Sequence, residues 1–226
     1  VIDGKVNQKL SMPKLEVKGN FKYIIIDGKH VKLTHGEVLL IAMGVTPDKE
    51  RTILDITLAK EENKRSYCEL LVRLWKKYNV VIIVADGAKA LDIVINASQM
   101  KIKRQCCIVH MKRNMSKGER LDKLIKWAEE GETVVDKYGV LNYLEAQREV
   151  WKWLKSNNLV ESFNSLVERR CFGKFHSPWR IFQIARAIAI AYNLFTNYLI
   201  TVILLQLSLF LSLLSIYLDY FFLELY

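Results

Sequence analysis

Three carboxylates stand where side chains commonly do chemistry: Asp27, Asp86 and Glu161. Asp27-Gly28 closes the apolar run Phe21–Ile26, and Asp86-Gly87 closes the β-branched run Val80–Ala85. A continuous β-branched run of that length reads as a strand buried on both faces. In open α/β sheets, ligands bind outside the carboxyl ends of parallel strands. Glu161 lies near the start of a helical stretch opened by Ser156-Asn157-Asn158. Brought together, the three make an all-oxygen donor set suited to Mg²⁺ or Mn²⁺. Two such ions about 4 Å apart stabilise the attacking and leaving oxygens of phosphoryl transfer. Each residue also has a plainer reading: Asp-Gly makes hairpin turns and helix N-caps, and Asn158-x-x-Glu161 has the spacing of a capping box. The combination of three favours chemistry.

The elements that must position them follow from periodicity. The runs Phe21–Ile26, Glu37–Val45 and Arg51–Leu58, the last two joined by a turn through Thr46-Pro47-Asp48, predict a three-stranded meander. Tyr67, Leu70, Leu71, Leu74 and Trp75 recur at helical spacing between residues 61 and 78, which predicts a helix with one face on the sheet. Next come a buried strand at Val80–Ala85, a helix over Ala88–Ser98 with Leu91, Val94 and Ile95 inward, and a short strand near Arg104–Val109. A meander followed by right-handed crossovers places the first strand beside the fourth, so Asp27 and Asp86 should end adjacent strands. Residues 111–155 carry no strand signal but space Leu121, Leu124, Ile125, Trp127 and Ala128 helically, and read as an inserted helical segment. A helix bearing Glu161, Phe163, Leu166 and Val167 follows. Ser177-Pro178 starts another that runs to about Asn197, with proline at the first helical position. The expected class is α/β: a mixed sheet flanked by helices, with a helical insertion before the helix of Glu161.

The formal net charge of +10, from 34 Lys and Arg against 24 Asp and Glu, points to a polyanionic partner, either nucleic acid or a membrane surface. No Lys or Arg lies beyond Tyr198, so the positive charge belongs to the preceding region. Lys101, Lys103, Arg104, Lys112, Arg113, Lys117 and Arg120 form one group, and Arg169, Arg170, Lys174 and Arg180 form another after Glu161. Such groups neutralise phosphates, or simply make solvated helix faces. Trp127, Trp151 and Trp153 suit either core packing or stacking on an unpaired base. Cys68, Cys106, Cys107 and Cys171 show no paired C-x-x-C spacing and no secretory context, which fits a reducing cytoplasm. Neither a Walker-type glycine loop nor a dinucleotide fingerprint is present, so no motif requires ATP, flavin or nicotinamide. Leu199–Leu218 is uncharged and long enough to span a bilayer. It is, however, interrupted by Thr201, Gln206, Ser208, Ser212 and Ser215 and lacks flanking Lys or Arg. For the apolar tail 198–226 a membrane span, a helix packed on a partner and an out-of-register translation all stay open.

Four blocks carry a specific resemblance: Asp27-Gly28 after a strand; Asp86-Gly87-Ala88-Lys89-Ala90-Leu91; Gln105-Cys106-Cys107-Ile108-Val109-His110-Met111-Lys112-Arg113-Asn114; and Asn158-Leu159-Val160-Glu161-Ser162-Phe163-Asn164. In order and over about residues 21–195, they resemble the blocks of the Mutator-like transposases and their prokaryotic insertion-sequence relatives. Those have two Asp-Gly pairs, a Q-x-C-x-x-H-x-x-R-N block and an N-x-x-E-x-x-N helix. The resemblance implies a DDE-type DNA transposase that cleaves transposon ends and transfers strands into target DNA, working as an oligomer on DNA with Mg²⁺ or Mn²⁺. It implies a ribonuclease-H-like catalytic domain over 21–110 and 156–197, interrupted by a helical insertion at 111–155. Asp27, Asp86 and Glu161 would be the metal-binding catalytic triad, with Lys103, Arg104, Lys112, Arg113, Arg169 and Arg170 meeting DNA. Cys107 and His110 match the family's C-x-x-H pair. A zinc site needs about four ligands and no second pair accompanies this one, so core packing and strand-end hydrogen bonding stand against a DNA-facing or site-organising role. The family carries an N-terminal DNA-binding region. The first residue here is Val1, and residues 1–20 read as a linker or the remnant of that region, so an upstream truncation is expected. The alternatives are an inactive remnant that binds DNA without cutting and a protein anchored to a membrane through 199–218.

Overall fold

The apolar runs pair into one mixed five-stranded sheet. The computed structural model describes residues 15–31, 37–86, 89–114, 118–171 and 177–196. The tail 198–226, most of the stretch 1–20, Lys117 and Lys174 lie outside the described residues. The strands are β1 (Tyr23–His30), β2 (Val38–Val45), β3 (Arg51–Ala59), β4 (Ile82–Ala85) and β5 (Lys103–Cys106), in the spatial order β3-β2-β1-β4-β5. β1 pairs antiparallel with β2 and β2 with β3, while β1–β4 and β4–β5 are parallel. The meander and the placement of the first strand beside the fourth follow the sequence expectation.

Helices cover both faces. On one side α1 (Lys64–Lys77) and α2 (Lys89–Ala97) bury Tyr67, Leu70, Leu71, Leu74, Leu91 and Ile95 against Ile24, Ile26, Leu40 and Ile83. On the other lie α3 (Ile108–Asn114), α4 (Gly118–Glu129), α5 (Trp151–Leu154), α6 (Asn158–Cys171) and α7 (178–196). Their Leu121, Ile125, Leu154, Val160, Phe163, Val167 and Ala185 share a core with Ile25, Ile41, Met43 and Val84. Each fully buried Leu, Ile or Phe contributes about 1.5–3 kcal/mol, so both layers hold the sheet firmly. Two 3-10 turns, Asn142–Glu145 and Arg148–Val150, join α4 to α5. The described residues of 111–155 therefore contain helices and turns without a strand, and their Tyr143, Val150 and Leu154 belong to the same core as the sheet.

Some expectations are corrected. β1 does not end at Asp27. It continues to His30, with Asp27 opposite Ile41 and Gly28 opposite Leu40, so Asp27-Gly28 is no hairpin turn. The Glu62 carboxylate packs close over the glycine: a Cβ at Gly28 would lie 3.0 Å from it, so that side chain would have to give. The strand expected over Arg104–Val109 stops at Cys106, and Ile108-Val109 open α3. The Cys107 amide gives the last ladder bond to Ala85, Ile108 donates to the Lys155 carbonyl, and Met111 to Cys107 already closes a helical turn. Trp75 is 49% exposed instead of packing inward. Ser177-Pro178 does start α7, with the Arg180 amide donating to Ser177 Oγ at 3.3 Å.

The free edge of β3 carries a bulge at Leu54, where Ala42 pairs with Asp55 but Met43 pairs with Ile53. There the Asn193 side chain, from α7, accepts from the Ile53 amide and donates to its carbonyl, both at 2.9 Å.

Candidate active site

The site forms where β1, the end of β4 and α6 meet. Ile25 pairs with Val84 on parallel strands, so Asp27 and Asp86 each lie two residues beyond a paired position. Strand alternation puts Asp27 on the same face as Tyr23 and Ile25, the face covered by α6. Glu161 projects from the first turn of α6, between buried Val160 and Phe163 on neighbouring positions of the helix.

The charges feel one another. Burial pushes the Asp27 carboxyl up to about 6, and the negative charges of Asp86 and Glu161 push in the same direction; the Asn157 hydrogen bond and His110 pull it down. Two amides hold that carboxylate. Asn157 Nδ2 donates to Asp27 Oδ1 at 3.1 Å, and Asn164 Nδ2 donates to Oδ2 at 2.6 Å. Sequence reasoning missed both roles. In the sequence Asn157 reads as part of a helix opening, but α6 begins at Asn158, which leaves Asn157 just outside it and makes Glu161 the fourth residue of the helix. Asn158-x-x-Glu161 is thus out of register for a capping box. The available signals were the closing asparagine of N-x-x-E-x-x-N and a second asparagine beside the first.

The Cys107–His110 pair is brought to the same place. Cys107 is buried, and its Sγ lies 3.1 Å from Asn157 Oδ1 and 3.3 Å from His110 Nδ1. His110 stands on α3, not at a strand end, with its Nε2 3.8 Å from Glu161 Oε1. Asp86 is steadied through its backbone: the Arg104 guanidinium donates to the Asp86 carbonyl, pairs with Asp92 and is only 9% exposed. That corrects the surface role expected of Arg104, whose charge is directed into the fold. Lys103 pairs with Glu145 and Lys112 with Asp122, while Arg113, Arg169 and Arg170 are exposed. Trp151 is a packing residue, with its indole donating to the Ala146 carbonyl and its ring edge-on to Tyr143. Trp153 lies under the Lys152 ammonium at 4.5 Å, and Trp127 is 52% exposed.

Opposite the α6 face, Glu62 accepts from the Tyr67 hydroxyl and lies 3.7 Å from His30 Nε2. Burial and Glu62 hold the Tyr67 hydroxyl well above its usual range, so it remains a donor.

The donor chemistry fits a hard divalent cation. Three carboxylates repel one another at Asp27, and the Asn164 Oδ1 atom, on a residue only 5% exposed, is buried without a hydrogen-bond partner. A hydrated cation would relieve the repulsion and offer the missing donor. Among the described residues no three His, Cys, Asp or Glu side chains already stand as a metal cage. An ion bound here would have to draw the carboxylates inward.

Comparison with known proteins gives a consistent answer. The sequence model of a family described as "Transposase, Mutator family" matches residues 8–130. The transposase for insertion sequence element IS905 of Lactococcus lactis is 25% identical over 199 residues, covering 72% of this chain and 51% of the relative. The transposase for ISRM5 of Rhizobium meliloti is 24% identical over 216 residues, covering 75% and 53%. The transposase for IS1201 of Lactobacillus helveticus is 21% identical over 214 residues, covering 75% and 58%. The chain spans about half the length of the curated relatives it matches.

Proposed function

The chain belongs to the Mutator family of transposases, and from that premise we propose that it carries the phosphodiester-processing core of a DDE-type transposase on a ribonuclease-H-like fold. The observation that supports this most is the electrostatic convergence of Asp27, Asp86 and Glu161, read in the raised carboxyl of Asp27. The sheet order β3-β2-β1-β4-β5, with one antiparallel meander and two parallel additions, is in keeping with that fold. Asp27, Asp86 and Glu161 would hold Mg²⁺ or Mn²⁺. When bound, such ions activate the attacking oxygen and stabilise the leaving one.

The chain's own residues supply position. Asn157 and Asn164 fix both oxygens of Asp27 in the half-buried site, Arg104 fixes the backbone that carries Asp86, and His110 faces Glu161. Arg113, Arg169 and Arg170, exposed on α3 and the last turn of α6, suit contact with phosphates on either side, joined by Lys103 and Lys112 if DNA displaces their carboxylate partners. The reaction assigned to the site has two displacements. A water oxygen attacks phosphorus and releases a 3′-hydroxyl at the transposon end; that hydroxyl then attacks a target phosphodiester and displaces a second 3′-oxygen. An oligomer on DNA is part of the proposal. Among the described residues no helix is long and apolar enough to cross a membrane, and the run 199–218 lies outside them.

The test is Mn²⁺- or Mg²⁺-dependent nicking and joining of DNA by the whole chain, beside Asp27→Ala, Asp86→Ala and Glu161→Ala. Loss of activity in all three, with circular dichroism unchanged, is expected. Activity that survives the substitutions would sink the assignment. DNA binding with metal uptake but no cleavage in the parent would point instead to a silent DNA-binding remnant.

A further inference from the structure

The contacts around Asp27 and Glu161 form one continuous path. Asp27 Oδ1 accepts from Asn157 Nδ2, Asn157 Oδ1 faces Cys107 Sγ, Cys107 Sγ faces His110 Nδ1, and His110 Nε2 faces Glu161 Oε1. The first and third carboxylates come from elements far apart in sequence, β1 and α6. Cys107 and His110, one between β5 and α3 and one on the first turn of α3, lie between them.

Donor and acceptor roles fix the direction of the path from Asp27 to Cys107. The carboxylate of Asp27 can only accept, so Asn157 must turn its amide nitrogen toward it and leave Oδ1 as an acceptor for the Cys107 thiol. With the S–H given to Asn157, the sulfur lone pairs can accept from Nδ1–H of His110; Nε2 then lies 3.8 Å from Glu161 Oε1, a contact that attracts the carboxylate only when Nε2 carries a proton as well. On this path the Cys107 sulfur is a single atom that both donates and accepts, as Asn157 does through its two separate amide atoms. Aliphatic packing alone would place no such demand on the residue at position 107.

We propose that Asn157, Cys107 and His110 are positioning residues that set the spacing of Asp27 and Glu161 for a divalent cation. The proposal deepens the metal-site reading above and rests on it. Groups that hydrogen-bond to metal-binding side chains orient them, and their loss typically weakens binding about 10- to 100-fold. The bridge makes the C-x-x-H pair a spacer between carboxylates and not a ligand set in its own right.

The experiment measures free Mn²⁺ by electron paramagnetic resonance during titration of the whole chain and its variants, in parallel with thermal melts. Asp27→Ala is the control and should abolish tight Mn²⁺ uptake. Cys107→Ala and Asn157→Ala should weaken it about 10- to 100-fold. Cys107→Ser, which keeps both a donor and an acceptor, should restore affinity to within about threefold of the parent, on the same reasoning. His110→Ala alters a half-exposed side chain and so tests the bridge in a variant expected to fold. It too should weaken Mn²⁺ binding. Uptake that needs Asp27 but ignores Asn157, Cys107 and His110 would overturn the bridge alone, as would lowered melting temperatures with unchanged Mn²⁺ affinity. A Cys107→Ser variant no better than Cys107→Ala would overturn it as well. A parent chain with no Mn²⁺ uptake, or an Asp27→Ala variant that binds like the parent, would overturn the metal site and the bridge together.

Discussion

The raised carboxyl of Asp27 contributes stability to the metal-free protein as the solution is acidified. Its folded value of about 6 lies above the ordinary 3.8, so the folded state holds the proton more tightly than the unfolded chain. For an acid shifted upward, stability grows as pH falls through about 6, and the gain is complete once pH drops below the unfolded value. Between pH 7.5 and 5, a shift of this size yields about 1.4 kcal/mol from this one group, and about 1 kcal/mol after a discount for partial solvent screening. For a chain of this size that corresponds to roughly 2–4 °C in melting temperature. Other carboxylates titrate over the same window, so the readout is a difference. Melting temperatures of the parent and Asp27→Asn are measured in chelator at pH 7.5 and pH 5. The parent should improve relative to the variant by that amount on acidification. Saturating Mn²⁺ should remove the effect, because the cation favours the ionised carboxylate that the proton would neutralise. Parallel behaviour of the two proteins, or a relative loss by the parent at pH 5, would refute the argument that buried like charges converge on Asp27.

Other consequences are equally measurable. Arg104→Ala should cost about 2–4 kcal/mol in denaturant unfolding, because it leaves Asp92 and the Asp86 carbonyl without their buried cation; the salt dependence of DNA binding should stay the same. Arg169→Ala should instead leave stability nearly unchanged while lowering the slope of log affinity against log salt by about 1. Gly44→Ala should destabilise by about 1–3 kcal/mol, since a Cβ there would meet Phe21 at 2.5 Å and Leu54 at 2.7 Å; chemical denaturation that matched the parent would argue against that packing.

Much of this architecture is legible in the chain because its signals are local or topological. Val80–Ala85 and Phe21–Ile26 announce buried strands by composition, and handedness alone then makes them neighbours and brings Asp27 toward Asp86. What the sequence hides depends on distant partners. Asp27-Gly28 carries a strong turn signal, but the pair lies within β1, and what crowds the glycine is Glu62, just ahead of α1. Ile108-Val109 favour a strand by side-chain branching, yet the ladder has already ended at Cys107, and the Lys155 carbonyl captures the next amide. Arg104 reads as one more surface cation beside Lys103, and only the fold shows Asp92 and the Asp86 carbonyl gathered around it. Asn157 is the clearest case: its role lies in two contacts, to Asp27 and to Cys107, which join residues 130 and 50 positions away.

The pairing of Asn193 with Ile53 protects against strand addition. An outer strand with open N–H and C=O groups is a template on which another chain can dock, and this one is already bent by a bulge that weakens such pairing. The Asn193 amide imitates one residue of an incoming strand and occupies both groups at once. A helix that follows the sheet in sequence thus caps its outer strand at one residue, beside the bulge. Until α7 has emerged and docked during synthesis, the Ile53 amide and carbonyl lack this partner.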